Sequence, residues 1–153
     1  MANTDHSIQA VELFLQGYNC AQAVAVAFCD MTGLEEKYAA RLVSSFGAGM
    51  GCLREVCGAV SGMLTVAGIL YGYDDPEDAA SKKAHYALVQ ELAEKFRQQA
   101  GSIICRELLK NPPSDPNPSP RTAEYYKVRP CTRMVLLAAQ ILDEYIAEHP
   151  CSL

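Results

Sequence analysis

Phe46-Gly47-Ala48-Gly49-Met50-Gly51-Cys52-Leu53-Arg54-Glu55-Val56-Cys57-Gly58-Ala59-Val60-Ser61-Gly62 is the stretch on which the reading of this chain turns. Glycine alternates at Gly47, Gly49 and Gly51, giving a backbone able to take positive φ and to approach a ligand closely. Cys52 and Cys57 follow at once. Gly58 and Gly62 then fall inside a segment that reads as helix, where each costs up to ~1 kcal/mol relative to alanine. Two such residues imply that the space is needed, for a thiolate-rich centre or for a closely packed partner helix.

Upstream, Ile8, Val11 and Leu15 at i, i+3, i+7 predict a helix over residues 7–16, closed by Gly17. Asn19 reads as an N-cap placing Cys20 at the start of a helix over 20–31, apolar nearly all round and therefore central. Cys29, late in that helix, reads as core packing. A third helix is expected over 35–45, with Glu35 and Glu36 complementing its dipole. The glycine-rich loop comes next. A fourth helix, from Val56 or Cys57 to Tyr71, carries Ala59, Val60, Met63, Ala67 and Leu70 inward.

Asp75 as N-cap and Pro76 at the first helical position predict a fifth helix reaching Ala100, with Ala84, Leu88, Leu92 and Phe96 as its core stripe. His85 lies beside the stripe without a histidine or cysteine at ligand spacing and reads as a boundary residue. Ser102 should cap a short helix over 103–110 that contains Cys105. Five prolines in residues 111–120 exclude helix or central strand and predict an extended surface loop. Pro130 and Cys131 open the last helix, which buries Met134, Leu137, Ala138, Ile141, Leu142 and Tyr145. Cys151 falls in a tail. No sustained alternation of period two and no repeat occurs. The expectation is an all-α, single-domain bundle of six or seven helices over residues 1–153, with the Pro-rich loop 111–120 within it.

At 153 residues the chain is long enough for a real core, and 50% apolar with 20% charged residues is ordinary for a folded domain. A net charge of −5 without a basic block argues against nucleic acid or an anionic membrane as partner. The N-terminus has no signal-peptide pattern and the apolar runs are too short and glycine-broken to span a bilayer, so a cytoplasmic location without membrane insertion is expected. Seven cysteines in a reducing compartment then point to ligands, redox thiols or buried small residues rather than to structural disulfides.

Cys20, Cys57, Cys105 and Cys131 each fall in the first turn of a different predicted helix. Helix starts offer unpaired N–H donors and a partial positive charge, which favour thiolate over thiol. Four thiolates meeting at one point need a cation or cluster to neutralise them. No C-x-x-C pair is present, so neither a zinc ribbon nor a thioredoxin-type site is indicated, and the fold itself must gather the ligands.

The segment Cys57-Gly58-Ala59-Val60-Ser61-Gly62 resembles the central motif of the C_GCAxxG_C_C family of redox-active proteins. That family's name writes Gly-Cys-Ala where this chain reads Cys-Gly-Ala. The resemblance extends to Asn19-Cys20-Ala21-Gln22-Ala23-Val24, to Gly49-Met50-Gly51 and Glu55-Val56, to Ser102-Ile103 and Cys105-Arg106-Glu107-Leu108-Leu109, and to Cys131. It implies that Cys20, Cys57, Cys105 and Cys131 are the family's four cysteines, with Cys29, Cys52 and Cys151 outside the signature. It also implies a fold similar to the iron–sulfur portion of split-Soret-type cytochromes, and hence an iron–sulfur centre. No C-x-x-C-H haem motif accompanies it.

Three functions are then expected in order. The first is a cluster on the four cysteines, [2Fe–2S] or [4Fe–4S], with N–H groups around Gly49, Gly51 and Gly58 tuning it for electron transfer or sensing. A cofactor-free thiol–disulfide protein comes second, with Cys57 as nucleophile and Cys52 or another of the family's cysteines resolving it. The third is a structural four-cysteine zinc site in a helical interaction module. Cys52 is also a candidate spare ligand. Arg54 is able to stabilise thiolate charge, but a solvated loop arginine is the preferred reading. The redox partner protein is not specified, and the apolar content and small-residue helix face suggest a homodimer.

Overall fold

A computed structural model describes residues 5–151, and within them every regular element is helical. In chain order these are α1 (His6–Leu15), α2 (Cys20–Ala27), α3 (Cys29–Thr32), α4 (Glu36–Leu42), a 3-10 turn (Ser44–Phe46), α5 (Gly47–Met50), α6 (Gly58–Tyr71), α7 (Ala79–Ala100), α8 (Cys105–Leu109), α9 (Ala123–Val128) and α10 (Cys131–Glu148). Strand-like pairing among the described residues is confined to one antiparallel bridge, Val56 opposite Ile104. The all-α expectation is met, with more and shorter helices than expected.

The bundle forms around α2, of which only Gln22 is not buried. Asn19 starts it with a capping box: its side chain accepts from the Gln22 N–H at 2.8 Å while Gln22 Oε1 accepts from the Asn19 N–H at 3.1 Å. Its alanines let α1, α6 and α10 pack closely around it. A Cβ on Gly62 of α6 would stand 2.6 Å from the Ala21 carbonyl oxygen, so Gly62 serves helix packing. Met63, Val66, Ala67 and Leu70 of α6, Leu88, Leu92 and Phe96 of α7, and Met134 to Leu142 of α10 complete the core. Ala84, expected in the α7 stripe, is exposed.

Helix α1 buries a different face from its aliphatic residues. His6, Ser7, Ala10 and Phe14 point inward, while Ile8 and Leu15 are more than half exposed. The cause is polar as well as apolar. His6 stacks on Phe28 with ring centroids 4.2 Å apart. Its Nδ1 meets Asp143 Oδ1 of α10 at 2.6 Å and its Nε2 meets Asp30 Oδ1 of α3 at 2.9 Å. With a carboxylate at each ring nitrogen the imidazolium donates both hydrogen bonds and joins three helices.

Other element boundaries shift for local reasons. The helix expected over 20–31 breaks at fully buried Phe28 and resumes as α3. The third is shorter than 35–45 because Val43 leaves helical geometry and the chain tightens into the 3-10 turn. Asp75 makes a turn, accepting from the Glu77 N–H at 2.9 Å, and Asp78 caps α7 through the Ser81 N–H. Ser102 accepts from the Ile104 N–H at 2.9 Å, but helix geometry begins only at Cys105. Residues 111–120 contain no helix, as expected. Helix α9 was not anticipated; Thr122 caps it, with Glu124 in its first turn and Lys127 in its last. No helix among the described residues is long and apolar enough to cross a membrane.

The His6 junction gives a pH signature. Burial pulls the His6 pKa down, but hydrogen bonding and charge from Asp143 and Asp30 outweigh it, so the pKa lies above its ordinary value near 6.5. Its contribution is fully present below the unfolded pKa and is lost as pH rises through the folded one. His6→Gln should lower stability by about 1–3 kcal/mol in mildly acidic solution and by less above pH 8. Urea midpoints of both proteins at the two pH values test this. A pH-independent difference would contradict the ion-paired assignment.

Candidate thiol site

Three local devices bring the cysteines together. Asn19 fixes the start of α2, and its Nδ2 donates to the Ser44 carbonyl at 3.2 Å, so Cys20 is held against the turn that precedes the glycine loop. The bridge between residues 54–57 and 103–106 sets a second pair. The Cys57 N–H donates to the Ile103 carbonyl at 2.7 Å, the Cys105 N–H to the Glu55 carbonyl at 2.6 Å, and the Arg106 N–H to the Arg54 carbonyl at 3.2 Å. Pro130 then delivers Cys131 as the first residue of α10. Cys20 and Cys131 begin α2 and α10 as expected, Cys105 begins α8 two residues after the expected start at Ile103, and Cys57 sits at the N-cap of α6.

All four side chains line one cavity of about 90 Å³, together with Cys52, Arg54, Phe14, Tyr125 and the loop residues Pro118 and Ser119. Cys20, Cys57 and Cys105 are buried and Cys131 is half-buried. Two glycines make room for the sulfurs. A Cβ on Gly58 would lie 2.3 Å from Cys20 Sγ, and one on Gly49 would lie 2.6 Å from the Cys105 Cβ. Gly51 is exposed, and a Cβ there would meet only the Ser45 carbonyl oxygen, at 3.8 Å, so it shapes the loop without touching a cysteine. Cys29 and Cys151 are half-buried elsewhere, Cys29 with its Sγ 4.0 Å from the Ala25 carbonyl.

The glycine loop is a left-handed turn. Ala48, Gly49, Met50, Gly51 and Cys52 all have φ between 58° and 72°, and Arg54 has φ 60°. Gly47 does not; its φ is −61°. Left-handed geometry costs roughly 1–2 kcal/mol for each residue with a Cβ, so Ala48, Met50, Cys52 and Arg54 are strained where the cavity wall is built. The Gly51 N–H to Gly47 carbonyl bond, 2.8 Å, and the Glu55 N–H to Gly49 carbonyl bond, 2.9 Å, hold the turn closed.

Electrostatically the thiols behave opposite to the helix-start expectation. Burial pushes the Cys57 thiol well above its ordinary range, helped by neighbouring Cys20 and Cys131; the Ala59 and Val60 N–H groups at the start of α6 oppose this and lose. Burial with the Cys20 and Cys105 neighbours pushes Cys131 up to about 11. Cys105 is also raised by burial, against the pull of Arg54 and Arg129. Desolvation wins over the helix termini, so Cys57, Cys105 and Cys131 carry their protons at neutral pH.

Arg54 is not a solvated loop residue. It is 7% exposed, and its Nη1 stands 4.0 Å from Cys105 Sγ. Its Nε is buried without a hydrogen-bond partner among the described residues. Arg121, missed in the sequence, ties the end of the Pro-rich loop to α1 by donating to the Phe14 carbonyl at 3.1 Å and the Tyr18 carbonyl at 2.9 Å, with its guanidinium 4.3 Å from the Phe14 ring centroid. Arg129 donates to Ser119 Oγ at 2.8 Å and stacks 5.0 Å over Tyr125. The only forward signal for these was a loop rich in proline followed by paired tyrosines and arginines.

Among the described residues no group of three histidine, cysteine, aspartate or glutamate side chains is disposed to hold a single metal ion. The four thiols share a cavity without closing on one point. An iron–sulfur cluster would spread its thiolates over more than one iron, so it does not need three ligands around a single ion. The donor set fits such a group: cysteine sulfurs without histidine or carboxylate, beside glycines that yield space, and in a volume far below the roughly 300–1,000 Å³ of pockets for organic ligands.

Residues 18–145 match the model of the C_GCAxxG_C_C family, whose description reads "Putative redox-active protein (C_GCAxxG_C_C)". No curated protein and no solved structure matches the chain.

Two substitutions test the wall. Gly58→Ala should destabilise the protein by about 1–3 kcal/mol, because the new methyl meets Cys20 Sγ and, at 2.8 Å, the Phe46 carbonyl. Met50→Gly, at φ 72° and 40% exposed, should instead stabilise by up to ~1 kcal/mol by relieving left-handed strain. Denaturant midpoints with unchanged m-values check both.

Proposed function

Because the chain belongs to the C_GCAxxG_C_C family of redox-active proteins, we propose that Cys20, Cys57, Cys105 and Cys131 hold an iron–sulfur cluster used for electron transfer or redox sensing. One observation carries the reading: four cysteines from four separate segments line a single small cavity, with Cys52 beside them and no histidine, aspartate or glutamate in its lining. When bound, such a cluster supplies one-electron chemistry.

The chain's own residues then have distinct tasks. The four sulfurs give up their protons on ligation, so assembly releases protons and the raised thiol pKa values make it easier in alkaline solution. Gly58 and Gly49 keep side chains out of the space beside Cys20 and Cys105. Arg54 offers a guanidinium to the Cys105 sulfur, favouring its anionic form. Phe14, Met134 and Pro118 limit the access of water.

A second reading has its own support. Cys52 lines the same cavity as Cys57, on a strained turn, as a resolving thiol would. Structural zinc draws less support, since among the described residues no three ligands are disposed around a single ion. Iron and acid-labile sulfide, measured on protein purified without oxygen, separate the cases. Stoichiometric iron and sulfide, lost together in Cys57→Ser and Cys131→Ser but kept in Cys29→Ser, Cys52→Ser and Cys151→Ser, are the expected result. Colourless, iron-free protein would sink the cluster reading, and zinc analysis with thiol titration would then choose between the others.

A further inference from the structure

Three arginines and no carboxylate line the cavity. They are Arg54, Arg121 and Arg129, in a chain whose net charge is −5. The ion pairs among the described residues include none to Arg54 or Arg129. Glu12 shares an outer groove with Arg129 but makes no ion pair with it. A buried guanidinium without an anion is costly. Arg54 is such a group: more than nine-tenths buried, with its Nη1 4.0 Å from Cys105 Sγ and its Nε without a hydrogen-bond partner among the described residues.

We propose that the arginine side of this cavity is a binding site for a small oxoanion or carboxylate, seated between Arg54 and Arg129 beside the sulfurs of Cys105 and Cys131. Guanidinium forks match the geometry of such oxygens and bind them with charge-assisted hydrogen bonds. Arg129 is prepositioned for this by Ser119 and by its stacking on Tyr125. Arg121, with its N–H groups on the Phe14 and Tyr18 carbonyls, adds charge while holding the Pro-rich loop in place as the outer wall. A volume of about 90 Å³ suits an inorganic oxoanion or a short carboxylate. An anion held there lies against the thiol centre, so its class is that of the substrate the centre acts on. That last step rests on the redox reading above, whereas the binding itself does not.

The test uses metal-free, fully reduced protein at constant ionic strength in chloride, titrated calorimetrically with inorganic phosphate, sulfate and formate. Saturable binding of at least one of them is expected, weakened about ten-fold or more by Arg54→Gln and measurably by Arg129→Gln, with Lys83→Gln on α7 as an unchanged control. Circular dichroism confirms folding of each variant; if Arg54→Gln does not fold, Arg129→Gln and Arg54→Lys carry the comparison. No saturable binding, or equal affinity in wild type and in every folded arginine variant, overturns the site. Iron and sulfide content is measured on separate, anaerobic protein. A missing cluster and a missing anion site are therefore distinguishable.

Discussion

The site depends on three backbone hydrogen bonds between residues 54–57 and 103–106. Without that short antiparallel bridge, Cys57 and Cys105 would belong to unrelated parts of a helical bundle. The bridge also carries Arg54 inward, because a residue with φ 60° turns its side chain where an extended residue would not. Arg106 reinforces it, donating from Nη1 to the Arg54 carbonyl at 3.1 Å. Its ion pair with Glu55, 3.0 Å and half exposed on both sides, adds little by itself. Backbone pairing of this kind is unusual in an all-helical protein and occurs here where the cavity is walled.

Two opposing electrostatic effects meet at the cysteines. Helix starts and arginines favour thiolate, and burial favours thiol. Burial prevails at Cys57, Cys105 and Cys131, which leaves the metal-free cavity positively charged through its arginines. The same arrangement would welcome four thiolates once a metal centre takes up their charge. Neutral sulfur and uncompensated guanidinium are thus two aspects of one desolvated pocket.

Much of this was readable from the sequence, for identifiable reasons. Caps and glycine stops are local, so Asn19, Gly33, Gly101 and the start of α10 were visible, and with them three of the four cysteine positions. The core stripes of α6 and α10 followed from helical periodicity. What escaped was long-range. Nothing near His6 in the chain announces Asp30 and Asp143, yet that contact turns α1 so that Ile8 faces outward. Arg54 looked like an ordinary loop cation because its burial is created by α8 and the Pro-rich loop, distant in sequence. Alternate glycines suggested positive φ at Gly47, Gly49 and Gly51; the left-handed run instead includes Ala48, Met50 and Cys52 and leaves Gly47 out.

Helix α7 contributes Leu88, Leu92 and Phe96 to the core but no residue to the cavity wall. The molecule therefore divides into a reactive pole, where helices begin, and a body that only supports it. The solvent side of α7 offers a place for a dye, an electrode tether or a fused domain, spatially insulated from the sulfur chemistry.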